Sequence, residues 1–171
     1  MTLSRGARLK DLNRALELTL AQLGEQAIDK VLFDVDCPPF AEIKPTTWEE
    51  LSGRHLIERL DGIGAAQFRL TGPGWCSALE VTGRRSAPDV VQRVAKLAAA
   101  LKASVKGRRE DAFVSVDALA SQSGISGDWV FNAIESDILA RWCHMKSASW
   151  EPHSIHGTLV RVPLGFGMDC L

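Results

Sequence analysis

The chain has 171 residues, 46% of them hydrophobic and 24% charged, with a formal net charge of −1. That length and composition suit one large or two small globular domains and exclude disorder as the default state. There are 11 basic against 12 acidic residues up to Ser86 and 9 against 9 after it, which excludes a global basic field of the kind that concentrates nucleic acid.

The opening MTLSRGARLKDLNRAL is too charged for a secretory segment, and no run approaches the roughly 18 apolar residues of a membrane span. Cys37, Cys76, Cys143 and Cys170 are scattered and form no CxxC pair. A cytoplasmic protein with reduced thiols and no membrane association is expected.

Leu9, Leu12, Leu16, Leu20 and Leu23 recur every three or four residues and predict an amphipathic helix ending near Gly24. The following AIDKVLFDVDCPPF reads two ways. Ile28, Val31 and Leu32 continue a helical stripe, whereas KVLFDVD reads as a short strand, closed in either case by Pro38-Pro39. Asp34 and Asp36 flank Val35 with no third ligand nearby, a pattern that suits a solvated turn better than a metal site.

Thr46 or Thr47 followed three residues on by Glu49 or Glu50 has the form of a capping box. It predicts a helix from about Thr47 with Trp48 and Leu51 inward, broken at Ser52-Gly53. A second helix is predicted from Arg54 to about Leu60, burying Leu56 and Leu60 with Ile57 alongside. Asp61-Gly62-Ile63-Gly64 then turns the chain into a strand, Ala66 to Leu70; Thr71-Gly72-Pro73-Gly74 ends that strand, and Trp75 to Val81 reads as a helix.

The run LIERLDGIGAAQFRLTGPGW resembles the second half of a winged helix: a recognition helix, a turn, a wing strand and a Gly-Trp opening the next helix. Phe68-Arg69-Leu70-Thr71 match the F-R-L-T-P-x-G run of winged-helix regulators, with Pro73 and Gly74 displaced by about a residue. The resemblance covers about residues 8 to 83, and no L-A-x3-G turn precedes its helix.

Gly83-Arg84-Arg85-Ser86-Ala87 is small, polar and charged, and marks a boundary between a domain at 1–86 and another at 87–171. Pro88 suits the first turn of a helix on which Val90, Val94, Leu97, Leu101 and Val105 share one side, with Val91 and Ala98 beside them. The far side of helix 88–106 carries Ala95, Ala99 and Ala103, so it can connect domains or pair with its copy in a homodimer. Lys102, Lys106, Arg108 and Arg109, the densest basic cluster, either complement the dipole at this helix's C-terminus or contact phosphate.

The strongest pattern lies in LASQSGISGDWVFNAI, residues 119–134, within a helix-turn-helix placed at 117–138. Gly124 supplies a left-handed stop without a Cβ penalty, Ser126 offers a cap to a helix starting near Gly127, and Val130, Ala133, Ile134 and Ile138 recur on its inner face. Leu119, Ala120, Gly124, Ile125, Ser126, Val130 and Ile134 resemble the helix-turn-helix of bacterial DNA-binding proteins. After it, ILARWCHM (138–145) and Thr158 to Val162 read as strands joined by a long wing, Ser147 to Gly157.

The expected fold is therefore mainly α with small β-hairpins, an α+β chain of two winged-helix domains in tandem. On a helical wheel, the open face of the second recognition helix carries Asp128, Asn132, Glu135 and Ser136 with Trp129 at its margin, two acids and no base. DNA presents one negative charge per roughly 1.7 Å of axis, so this face fits a protein partner better than a groove. The candidate contacts to double-stranded DNA are instead Arg54, His55, Arg59, Arg69, Arg84 and Arg85, with Lys102, Lys106, Arg108 and Arg109; a solvated mixed-charge face reads the same way.

Cys143, His144, His153 and His156 form a weak zinc pattern, weighed against exposed loop histidines. No nucleophile elbow, phosphate loop, HExxH or dinucleotide fingerprint occurs, so neither catalysis nor a cofactor is expected. The expected function is a DNA-associated regulator, with an adaptor or scaffold subunit of a larger complex as the alternative.

Overall fold

A computed structural model of the chain describes residues 5–60, 67–139, 147–148 and 158–166. It is an α+β protein of two compact units, Met1–Arg85 and Ser86–Leu171. Among the described residues there are six α-helices and two three-stranded antiparallel sheets.

In the first unit, helix α1 (Arg5–Leu23) buries Leu12, Leu16, Leu20 and Leu23, and stops where Gly24 takes a φ of 60°. Leu9 is left 56% exposed, because the stripe begins to pack only at Leu12. Phe33–Asp34 forms strand β1, which settles the double reading of that stretch in favour of a strand.

Helix α2 (Pro45–Gly53) starts ahead of the predicted position. Lys44 occupies the N-cap without a side-chain bond, and Pro45 fills the first turn with its fixed φ. The capping box is therefore unused, although Trp48 and Leu51 are inward as expected.

The predicted helix from Arg54 to Leu60 does not form. Arg54 ends α2, His55 adopts a left-handed φ of 57°, and the Leu56 N–H donates back to the Leu51 carbonyl at 2.9 Å. The reversed chain then runs as strand β2 (Ile57–Leu60). Leu56 and Leu60, four apart, imitate helical spacing, but the fully buried residue is Ile57, and a run this short carries too little periodicity to decide. Pairing with strand β3 (Gln67–Leu70) decides it, in the register Ile57↔Leu70, Glu58↔Arg69, Arg59↔Phe68 and Leu60↔Gln67.

Strand β3 lies between β1 and β2. Helix α3 (Gly72–Val81) begins at Gly72 instead of Trp75, because Thr71 caps it by accepting the Gly74 N–H at 3.1 Å. Phe33, Phe40, Trp48 and Phe68 form one aromatic cluster, with ring centroids 4.9–6.1 Å apart, which joins β1, β3 and α2.

The second unit opens with helix α4 (Pro88–Val105), burying Val90, Leu97, Ala100, Leu101 and Val105. Strand β4 (Ala112–Ser115) follows, an element that its four residues did not announce. Helices α5 (Val116–Ser123) and α6 (Gly127–Glu135) come next, then a 3-10 turn at Asp137–Leu139 and strands β5 (Ser147–Ala148) and β6 (Leu159–Val162). Ile138 and Leu139 thus lie in a turn instead of a strand, and Ile138 is not part of α6. Ser147 and Ala148 are paired with β6 instead of lying in a wing loop.

Leaving out α3 and the 3-10 turns at Arg84–Ser86 and Asp137–Leu139, both units run helix, strand, helical segment, helix, strand, strand. In both, the third strand lies between the first and the second.

Candidate functional site

The α5–α6 pair is built as its residues dictate. Gly124 ends α5 at φ 66° and donates its N–H to Ala120 O at 2.9 Å, and Ser126 caps α6 by accepting the Trp129 N–H. Leu119, Val130 and Ala133 are fully buried, with Ile125 and Ile134 each 9% exposed, so these apolar positions of the pair belong to the core of the second unit.

The open face of α6 differs from the helical wheel. Asn132 is 2% exposed, Trp129 4% and Ser136 8%, so these three belong to the core. Trp129 lies under the Arg93 guanidinium of α4, 5.9 Å from the ring centroid. Ser136 donates to Ala133 O at 3.0 Å and accepts the Ile138 N–H at 3.3 Å. A wheel centred on one stripe fails here because α6 packs on more than one side.

Of the others, Glu135 is exposed and Asp128 and Phe131 are half-buried, at spacings of three and four along the helix. Phe131 was not singled out from the sequence. The helix between the 3-10 turn and β2 in the first unit, α2, is similar: its outer residues are Pro45, Thr46, Glu49 and Gly53, and neither helix contains Lys or Arg.

The basic residues proposed for the first unit do not share a helix face. Arg54 and His55 are exposed in the turn after α2, and Glu58 and Arg59 are successive residues on β2, so their side chains leave opposite faces of the sheet. Arg54 and Arg8 both hold the Glu50 carboxylate. The Arg8 hydrogen bond, then Arg54, keep the Glu50 carboxyl below its ordinary range. Arg69 bonds Glu58 across the hairpin at 2.7 Å, and Arg85 pairs with Glu80. Arg84 and Arg85 open a 3-10 turn.

Arg59 lines a cavity of about 540 Å³ with Trp48, Phe68, Ile43, Asp36 and Glu49. Beside the Asp36 wall, the Asp36 N–H donates to Asp34 Oδ1 at 2.9 Å, which is the turn the sequence suggested. Cys37 hydrogen-bonds Asp34; that bond and the aspartate's charge raise the thiol above its ordinary range, which disfavours a thiolate nucleophile. Cys76 is buried. Among the described residues no cluster of three metal-ligating side chains occurs, and Cys143, His144, His153 and His156 lie outside the described residues.

Lys102 and Lys106 are exposed on and just after α4, whose Val91, Ala95, Ala99 and Ala103 are exposed as well. Arg108 and Arg109 line an open groove of about 870 Å³ with Glu110, Asp111, Phe113, Arg161 and Leu164. Asp111 accepts the Leu164 N–H at 3.0 Å and the Arg161 guanidinium at 2.7 Å, and both hold its carboxyl below the ordinary value. Phe113 and Arg161 are cross-strand partners on β4 and β6. Phe113 and Arg161 were missed because β4 was missed: only its pairing with β6 puts them together.

No described helix is long and apolar enough to cross a membrane. Compared with protein-family models, curated proteins and solved structures, the chain matches none of them.

Proposed function

We propose that the chain is a non-enzymatic, cytoplasmic tandem winged-helix protein that acts as an adaptor, presenting the outer faces of α2 and α6 to a protein partner. The shared element order and sheet order of the two units, with the glycine-stopped and serine-capped α5–α6 pair, support the winged-helix assignment. The observation that carries the adaptor reading is the chemistry of the two helices in the recognition position. Glu49 on α2 and Glu135 on α6 are exposed, Asp128 is half-buried, and neither helix carries a Lys or Arg of its own to meet a phosphate backbone. Phe131, between the two acids of α6, gives that face an aromatic anchor.

Affinity purification of the full chain tests this. A stoichiometric partner is expected with the wild type and is expected to be lost with Asp128→Lys/Glu135→Lys; recovery of the protein alone would count against the adaptor.

A second reading, a DNA-associated regulator, is favoured by the α5–α6 geometry and by the exposed Arg54 and His55. It requires duplex binding that weakens steeply with salt and disappears in Arg54→Glu/Arg59→Glu.

A further inference from the structure

We infer that the groove at the free end of the second sheet is a binding site for single-stranded nucleic acid, with Phe113 stacking on a base and Arg108 and Arg109 holding phosphate. Phe113 is 59% exposed on a strand, so the face of its ring is open to a ligand. Its ring stands on β4 opposite Arg161 of β6, in a groove open enough for a planar ligand.

The charges around the ring complement a polyanion. Arg108 and Arg109 are exposed and form no ion pair among the described residues, and Lys102 and Lys106 extend the same basic run. Two acids share the groove. Asp111 is already held by Arg161 and by the Leu164 N–H, which leaves Glu110 as the acid that opposes a phosphate. A positively charged track beside an exposed aromatic ring is the arrangement single strands need, because any base offers a π-face and its phosphate lies a few ångströms away. A duplex keeps its bases stacked and cannot use Phe113.

The groove is also separate from the α5–α6 pair. Phe113, opposite Arg161, is roughly 10 Å of strand from Val116, where α5 begins, and Asp111 is roughly 17 Å from it. The inference therefore does not depend on the adaptor reading.

Fluorescence anisotropy of the full chain with a labelled oligothymidine of about 12 nucleotides tests it, since single-strand sites span about 4–16 nucleotides. Binding is expected to weaken with salt and to exceed that of a duplex of the same length at least tenfold. Phe113→Ala is expected to weaken it about tenfold while Phe113→Tyr retains it, and Arg108→Glu/Arg109→Glu abolishes it. Glu110→Gln is expected to tighten it, a gain that misfolding does not produce. Equal affinity for the duplex, competition by polyglutamate as strong as by the oligonucleotide, absence of binding at low salt, or unchanged affinity in Phe113→Ala would each overturn the inference.

Discussion

Gly74 shows how one residue fixes the first unit. A Cβ built there would lie 1.8 Å from the Leu56 carbonyl oxygen and 2.7 Å from its carbon, both backbone atoms. That same carbonyl accepts the Thr71 N–H at 3.1 Å, and Thr71 Oγ1 donates to the His55 carbonyl at 2.7 Å. The start of α3 is thus clamped against the chain entering β2, and nothing larger than a hydrogen fits between them. Gly74→Ala is expected to destabilise the first unit by about 2–3 kcal/mol in urea unfolding, as overpacking does. Gly53→Ala, with open space around it at the last turn of α2, is expected to be neutral or stabilising by up to about 1 kcal/mol.

Asp111 is a carboxylate whose charge the second unit uses. Its carboxyl is depressed by the Leu164 N–H and Arg161, so its contribution is complete above the unfolded value near 4 and is lost as pH falls through the lower folded value. Acid titration followed by near-UV circular dichroism is expected to show the wild type losing stability below about pH 4. Asp111→Asn is expected to be less stable at neutral pH and flatter across that acid range.

At the scale of elements, legibility depended on how many residues each pattern spans. The leucines of α1, the Val90–Val105 side of α4 and the Gly124–Ser126 corner were readable because a long period or a special backbone position leaves one interpretation. The four-residue strands were not. Ile57–Leu60 reads as helix by spacing, and Ala112–Ser115 gives no clear alternation; both exist because a distant strand pairs with them.

The outward residues of α6 were misassigned for a related reason. A single stripe sets one buried side, whereas Trp129 and Asn132 are buried on another by tertiary packing. The α5–α6 corner itself is testable. Gly124 has open space around it, so Gly124→Ala costs only the strain of a left-handed backbone, about 1 kcal/mol, and Gly124→Asn costs less. Ser126→Ala, which removes the cap from the Trp129 N–H, is expected to cost a further ~1 kcal/mol, read in thermal unfolding.

At the scale of the whole molecule the net charge is −1, yet α2 and α6 carry acids and no base, whereas Lys102–Arg109 is a basic run. The candidate site was half legible. The sequence places every charge but not the partner each one meets, and Glu50, Glu58 and Glu80 turn out to hold Arg54, Arg69 and Arg85. Those pairings offset charges that a groove-binding surface would need.

The most direct measurement is the affinity of the full chain for mixed-sequence duplex DNA as a function of salt. The adaptor account predicts weak binding that is unchanged by Arg54→Glu/Arg59→Glu. Tight binding whose logarithm falls steeply with the logarithm of salt, lost in that double variant and retained in Arg108→Glu/Arg109→Glu, would contradict it.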